Sequence, residues 1–207
     1  MKSNYVAAVA ISAALCFAGS AGSADVATDA QQAALKKTIE TCGTCHGVNG
    51  RSTSPTFPIL AAQMAPYIEL QLHAFKDQSR ADPDAQAYMW GMSSQLNDAM
   101  ISALADYYGG QAAAAGKPGN AALIAQGKHV FEEGIPARQI PPCASCHGAH
   151  AEGMATFPRL AGQHAPYLLK QLLVIQNVLR TAPVMHGVIK DLTKDQMQAV
   201  AAYLESI

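Results

Sequence analysis

Residues 42–47 read Cys-Gly-Thr-Cys-His-Gly, and residues 143–148 read Cys-Ala-Ser-Cys-His-Gly. In each motif two thiols share one turn of chain and a histidine follows the second directly. That spacing lets both sulfurs reach the two vinyl groups of one porphyrin while the imidazole is held beneath the iron, which is the attachment pattern of c-type haem. Other chemistries fit less well. A thioredoxin-like redox pair wants a βαβ context, and zinc wants two further ligands at finger-like spacing in each copy. Two disulfides, the ordinary expectation for four cysteines in an oxidising compartment, leave the twice-placed histidine unexplained. Two covalently attached haem c groups are therefore expected, with Cys42, Cys45, Cys143 and Cys146 as attachment points and His46 and His147 as axial ligands.

Outward from these motifs the chain is written twice. Thr56, Phe57, Pro58, Leu60, Ala61, Gln63, Ala65, Pro66, Tyr67, Gln71 and Leu72 all recur at an offset of 100, from Thr156 to Leu172. Between the copies lie Gly109-Gly110-Gln111, an alanine run and Gly116-Lys117-Pro118-Gly119, the composition of a flexible linker. The expected organisation is a leader over residues 1–24, a first domain over 25–109, a linker over 110–119 and a second domain over 120–207.

The leader is read from Lys2, the apolar run Val6 to Ala18 and the small residues up to Ala24, a secretory signal that directs the chain to the periplasm. Its apolar run is too short to span a membrane, as is every later one. A lipid on Cys16 would give peripheral membrane association, but the bulky Leu15 before it argues against that processing.

Each copy reads as helical. Gln31 to Thr41 and Ala121 to Glu133 are amphipathic stretches leading to the cysteines, and Pro66 and Pro166 sit where a first-turn proline opens a helix. Thr193 with Gln196 has the capping-box pattern of a last helix running to the C-terminus. With no alternating strand pattern of useful length, the fold class expected is all-α. Domains this small bury little apolar surface alone, so a large cofactor serves as the staple each needs.

From Asp25 onward the chain carries 13 basic and 15 acidic side chains, which gives no reason to expect nucleic acid as a partner. Residues 25–112 have a net charge of −4 and residues 113–207 of +2, an asymmetry by which a partner's field can orient the molecule.

Function turns on the far side of each iron, because a second protein ligand makes an electron carrier whereas an open position allows oxygen or peroxide chemistry. Candidates are Met64, Met89, Met92 and Met100 in the first copy, and Met154, His164, Met185 and His186 in the second. Met89-Trp90-Gly91-Met92 aligns with Met185-His186-Gly187-Val188, and only the first methionine occurs in both. A leucine and a tyrosine follow each at equal spacing, Leu96 with Tyr107 and Leu192 with Tyr203. Met89 and Met185 are thus the expected sixth ligands, core filling being the other role of such methionines. A dihaem peroxidase would lack the methionine in one copy. Of the weaker repeated signals, Pro58 and Pro158 read either as helix-start prolines or as residues whose carbonyls fix the ligand histidines. Tyr67, Tyr167, Gln63 and Gln163 point to haem propionates or to the seam between domains. His73, His129, His150 and His164 lack counterparts and read as surface or internally satisfied histidines.

Together these residues resemble a known family. Tandem class I cytochrome c domains, each with Cys-x-x-Cys-His-Gly, Phe-Pro-x-Leu-Ala-x-Gln and Met-x-Gly-Met/Val before a C-terminal helix bearing a tyrosine, are similar to the bacterial dihaem cytochromes c4. The resemblance covers nearly all of the chain after the leader. It implies two all-α domains, each wrapped around one covalent haem, with propionates near the domain interface. It also implies His46 and His147 as proximal ligands, Met89 and Met185 as distal ligands, and a periplasmic carrier feeding a terminal oxidase or reductase. Two departures stand out in the first copy. Lys37 replaces the small glycine that the second copy keeps as Gly127, and Ala62 replaces the glycine kept as Gly162. They leave room for a specialised relative, such as the cytochrome subunit of a dehydrogenase.

Overall fold

The computed structural model describes residues 28–207 together with Met1; the rest of the expected leader, Cys16 included, lies outside the described residues. The first half comprises α1 (Asp29–His46), α2 (Ala65–Lys76), a wide π turn over Ala85–Met89, α3 (Trp90–Ser93) and α4 (Asp98–Gly109). The second comprises α5 (Ala121–Glu133), α6 (Ala144–His147), α7 (Ala165–Gln176), α8 (Pro183–Ile189) and α9 (Lys194–Ser206). The only extended pairings among the described residues are two isolated bridges, Ile135 with Ile140 and Met154 with Phe157, so the fold is all-α as expected.

Local sequence accounts for the helix starts. Thr28 with Gln31 and Thr193 with Gln196 form capping boxes on α1 and α9, the second being the start expected from sequence. Asn97 and Asn120 cap α4 and α5 by accepting from the N–H of Met100 and Leu123. Pro66 and Pro166 lie in the first turns of α2 and α7, where a missing N–H costs nothing.

The two cores are unequal. In the second half Val130, Phe131, Leu168, Ile175, Ile189, Met197, Val200 and Leu204 form one buried cluster. The crossing of α5 and α9 at its centre depends on Gly127, because a Cβ there would run into the Ala199 carbonyl. In the first half the buried cluster is Ile68, Leu104, Ala105 and Tyr108, and α1 reaches it through the partly buried Leu35, Ile39 and Cys42. Lys37 is exposed, and His46 is the one buried residue of α1. Ala62 adopts the left-handed backbone (φ 58°) that Gly162 adopts (φ 73°), and both make the same bond, to the Tyr108 and Leu204 carbonyls at 2.9 and 2.8 Å. The glycine-to-alanine departure is thus absorbed as local backbone strain and leaves the turn intact.

Segment 110–119, whose composition suggests flexibility, is docked along the second half. The Lys117 N–H donates to the Glu205 carbonyl at 2.8 Å, Arg51 donates to the Ala112 carbonyl at 2.9 Å, and Gly116 runs against the end of α9. Backbone bonds to both halves replace the freedom that its composition permits.

Candidate haem-attachment sites

In the first half Cys42, Cys45 and His46 occupy the last turn of α1, which runs unbroken through the motif. In the second half α5 stops at Gly134 (φ 69°), an excursion over residues 134–142 intervenes, and α6 carries the motif on its own. The outcome is the same despite the different approach. None of the four cysteines is paired in a disulfide. Burial pushes the Cys143 thiol up to about 11, and burial also raises Cys42.

Both histidines are buried and held alike. His46 Nδ1–H donates to the Pro58 carbonyl at 2.9 Å, and His147 Nδ1–H donates to the Pro158 carbonyl at 3.0 Å, as the repeat suggested. A carbonyl can only accept, so these bonds set the tautomer and leave each Nε2 lone pair for a metal. Burial lowers the proton affinity of both rings, only partly offset by the proline carbonyls, which keeps them neutral at pH 7. Phe57 and Phe157 pack edge-on against them, with ring centroids 6.2 and 6.4 Å apart. This donor set, two thiols and a fixed neutral imidazole in each half, fits a covalently bound haem.

The methionines are placed as follows. Met89 ends the π turn, half-buried, next to Tyr88, whose ring packs on Phe57. Met185 is half-buried in α8 and packs against the second core together with Cys143. Met92 and Met154 are exposed, and Met100 packs into the first core. Met64 faces the second half at Gly153. His186 Nδ1 donates to the Ile175 carbonyl at 3.1 Å. His164, 1% exposed, donates from Nε2 to the Ser52 carbonyl at 3.1 Å and faces Lys117 and Glu205 with Nδ1, so it is a satisfied histidine, though an interior one. His73, His129 and His150 are on the surface.

Gln63 and Gln163 lie at the seam, buried, in mirrored roles. Gln63 Oε1 accepts from the Arg159 N–H at 2.7 Å and its Nε2 donates to the Arg159 carbonyl at 2.9 Å. Gln163 does the same with Ile59, at 2.9 Å for both bonds. Deeper in the seam are two residues the sequence reading passed over, Arg80 and Arg180. Arg80 bonds Asp82, Gln71 and Gln171 at 2.8, 2.7 and 3.0 Å. Arg180 bonds Gln171, Tyr67 and Gln71 at 2.6, 2.8 and 2.9 Å. Burial opposes the Arg80 charge, and the Asp82 carboxylate paired with it at 2.8 Å favours it. Two buried guanidiniums face one buried carboxylate, a surplus of positive charge that suits acidic propionates. The signal was present, since Arg80 and Arg180 stand at the same offset of 100 as the rest of the repeat.

A thiol pair and a carbonyl-bound histidine, built twice on helices, define the class: the chain belongs to the cytochrome c family, whose model matches residues 27–108 and again 124–207. Within that class it is a dihaem chain of the cytochrome c4 kind, carrying two covalently bound haem c groups and working as an electron carrier, not an enzyme. It is 41% identical over 198 residues to cytochrome c-552 of Acidithiobacillus ferridurans, covering 95% of this chain and 85% of that one. The cytochrome c4 structure from Acidithiobacillus ferrooxidans superposes with a TM-score of 0.78 at 41% identity, covering 81% of this chain and 99% of that one. The thiosulfate dehydrogenase electron acceptor of Thiomonas intermedia is 34% identical over 186 residues, 86% of this chain and 83% of that one.

Proposed function

We propose that this chain is a periplasmic shuttle that passes single electrons between respiratory partners, a dehydrogenase on one side and a terminal oxidase or reductase on the other. His46 and Met89 would hold one iron, His147 and Met185 the other, and Cys42, Cys45, Cys143 and Cys146 would carry four thioether links, two to each haem. Bound haem supplies a one-electron ferric/ferrous couple. The residues do the rest. Neutral, carbonyl-fixed imidazoles would ligate without a proton to lose, and a soft thioether ligand would favour the ferrous state. The observation that carries this reading is the doubled His–Pro carbonyl bond, at 2.9 and 3.0 Å. The methionine assignment is supported by the repeat, with Met92 and Met154 exposed and His164 engaged in the interior. Among the described residues no helix is long and apolar enough to cross a membrane. The domain limits proposed are 25–109 and 120–207.

Visible spectra of oxidised and reduced protein, before and after carbon monoxide, test the ligation. Unchanged low-spin spectra are expected, with Met89→Ala and Met185→Ala each opening one iron to the gas; binding to the wild type would refute the second protein ligand.

A second reading, an electron acceptor bound tightly to a dehydrogenase, is favoured by the likeness to the Thiomonas acceptor. It predicts co-purification with a larger redox chain, where a shuttle emerges alone.

A further inference from the structure

The peptide group joining Pro58 to Ile59 is bonded at both ends. Its carbonyl accepts from His46 Nδ1–H at 2.9 Å, and its N–H donates to Gln163 Oε1 at 2.9 Å. The peptide group joining Pro158 to Arg159 is bonded in the same way, to His147 at 3.0 Å and to Gln63 Oε1 at 2.7 Å. In each case histidine and glutamine belong to opposite halves of the molecule. We infer that Gln63 and Gln163 are positioning residues for the haem of the opposite half, each acting through one peptide group on the axial histidine there. This rests on the reading of His46 and His147 as iron ligands.

Three features make the link more than contact. Both carboxamides are buried, 8% and 6% exposed, so water does not compete for these bonds. Each also donates from Nε2 to the carbonyl of the residue whose N–H it accepts, which fixes the orientation of the amide. Each Oε1 also accepts from the N–H of the residue that follows its own glutamine, Met64 at 2.9 Å and His164 at 3.1 Å, which anchors the carboxamide to its own half.

Hydrogen bonds in series polarise one another. An acceptor on the peptide N–H moves electron density to its carbonyl oxygen, which draws harder on the imidazole Nδ1–H. The ring then becomes a more basic ligand, a known effect of such outer partners, and the ferric state gains. Each half therefore lowers the reduction potential of the haem in the other, and any partner that loosens the seam raises both. A purely adhesive role for the glutamines predicts no such crossing.

The test uses the full holoprotein carrying Gln163→Met or Gln63→Met, changes that keep volume and remove the amide. Redox titration is followed by NMR with each haem resolved. Gln163→Met is expected to raise the potential of the first-half haem and leave the second unmoved, and Gln63→Met to do the reverse. With a 10–30% change in bond strength, the partition of the first electron between the haems shifts by about twofold, in opposite directions. Shifts confined to the haem of the mutated half, or equal in both haems, overturn the inference. Gln163→Glu, which still accepts from Ile59, serves where the methionine variant does not fold. It is expected to lower the first-half haem alone, and a rise, or an equal fall in both, overturns the inference. Hyperfine-shifted ring protons from His46 and His147 in the wild type test ligation separately. Their absence removes both readings, whereas their presence without crossed shifts removes only the relay.

Discussion

At the scale of single residues, the decisive positions are those where one bond or one backbone angle settles an outcome. The histidines were legible because their spacing from the cysteines is covalent logic. The carbonyls that fix them were legible because Pro58 and Pro158 repeat. Ala62 illustrates the opposite case, a residue held at φ 58° where its counterpart is glycine. Ala62→Gly is expected to raise stability by about 1 kcal/mol, the cost of placing a Cβ in the left-handed region less the added freedom of the unfolded chain. Denaturant unfolding of the holoprotein checks it, and an unchanged or lower midpoint would show the strain to be absent. His164 was read as satisfied, but its depth was invisible, since Ser52 approaches it from 112 residues away. Burial, then the Lys117 ammonium, lowers its proton affinity below the ordinary 6.5, against the pull of Ser52 and Glu205. Native protein keeps the ring neutral while the unfolded chain takes a proton below about 6.5, so this contribution to stability is complete above that pH and lost as pH falls beneath it. Unfolding curves from pH 8 to pH 5 are expected to show a steeper loss for wild type than for His164→Asn; parallel losses would exclude the histidine as the cause.

At the scale of elements, the two copies reach one geometry by different means. The capping boxes and first-turn prolines act over three or four residues, which is why the starts of α2, α7 and α9 were legible. The extents were less so. α1 continues through its cysteines, whereas α5 is cut off by Gly134 and the motif restarts as α6. The π turn before Met89 has no counterpart before Met185, because the first copy has four more residues between its Arg-x-x-Pro (Arg80 to Pro83) and its methionine. Gly127 makes the sharpest contrast. Gly127→Ala is expected to cost about 3 kcal/mol, since the obstacle is the backbone of α9, which cannot rotate away. Lys37→Ala in α1 is expected to stay within about 0.5 kcal/mol, because that side chain is exposed. Thermal unfolding of both variants decides it, and comparable losses would mean that the Lys37 side chain is packed and not exposed.

At the scale of the whole molecule, the seam is where the halves become one object. Asp84 pairs with Lys170 across it, the arginines share glutamines from both sides, and the linker is pinned along one flank. With the acidic half fixed against the basic half, the charge asymmetry becomes a molecular dipole. Reaction with a small cationic redox partner and with a small anionic one are both expected to slow as ionic strength rises from about 0.01 to 0.1 M, each partner being drawn to its own end. Stopped-flow rates check this, and an anionic partner that speeds up with salt would show that the net charge alone governs encounter.

By itself the sequence determined the number of haems, the duplication and the helical class, because each depends on spacing along the chain or on periodicity within a few residues. The tertiary structure alone decided that the linker docks, that His164 is interior, that Arg80 and Arg180 share one cluster, and that each glutamine grips the peptide behind the other half's histidine. The glutamine contacts join residues 96 and 104 positions apart at the seam. No local rule reaches that far, and the repeat marked which residues matter without saying that they would meet crosswise.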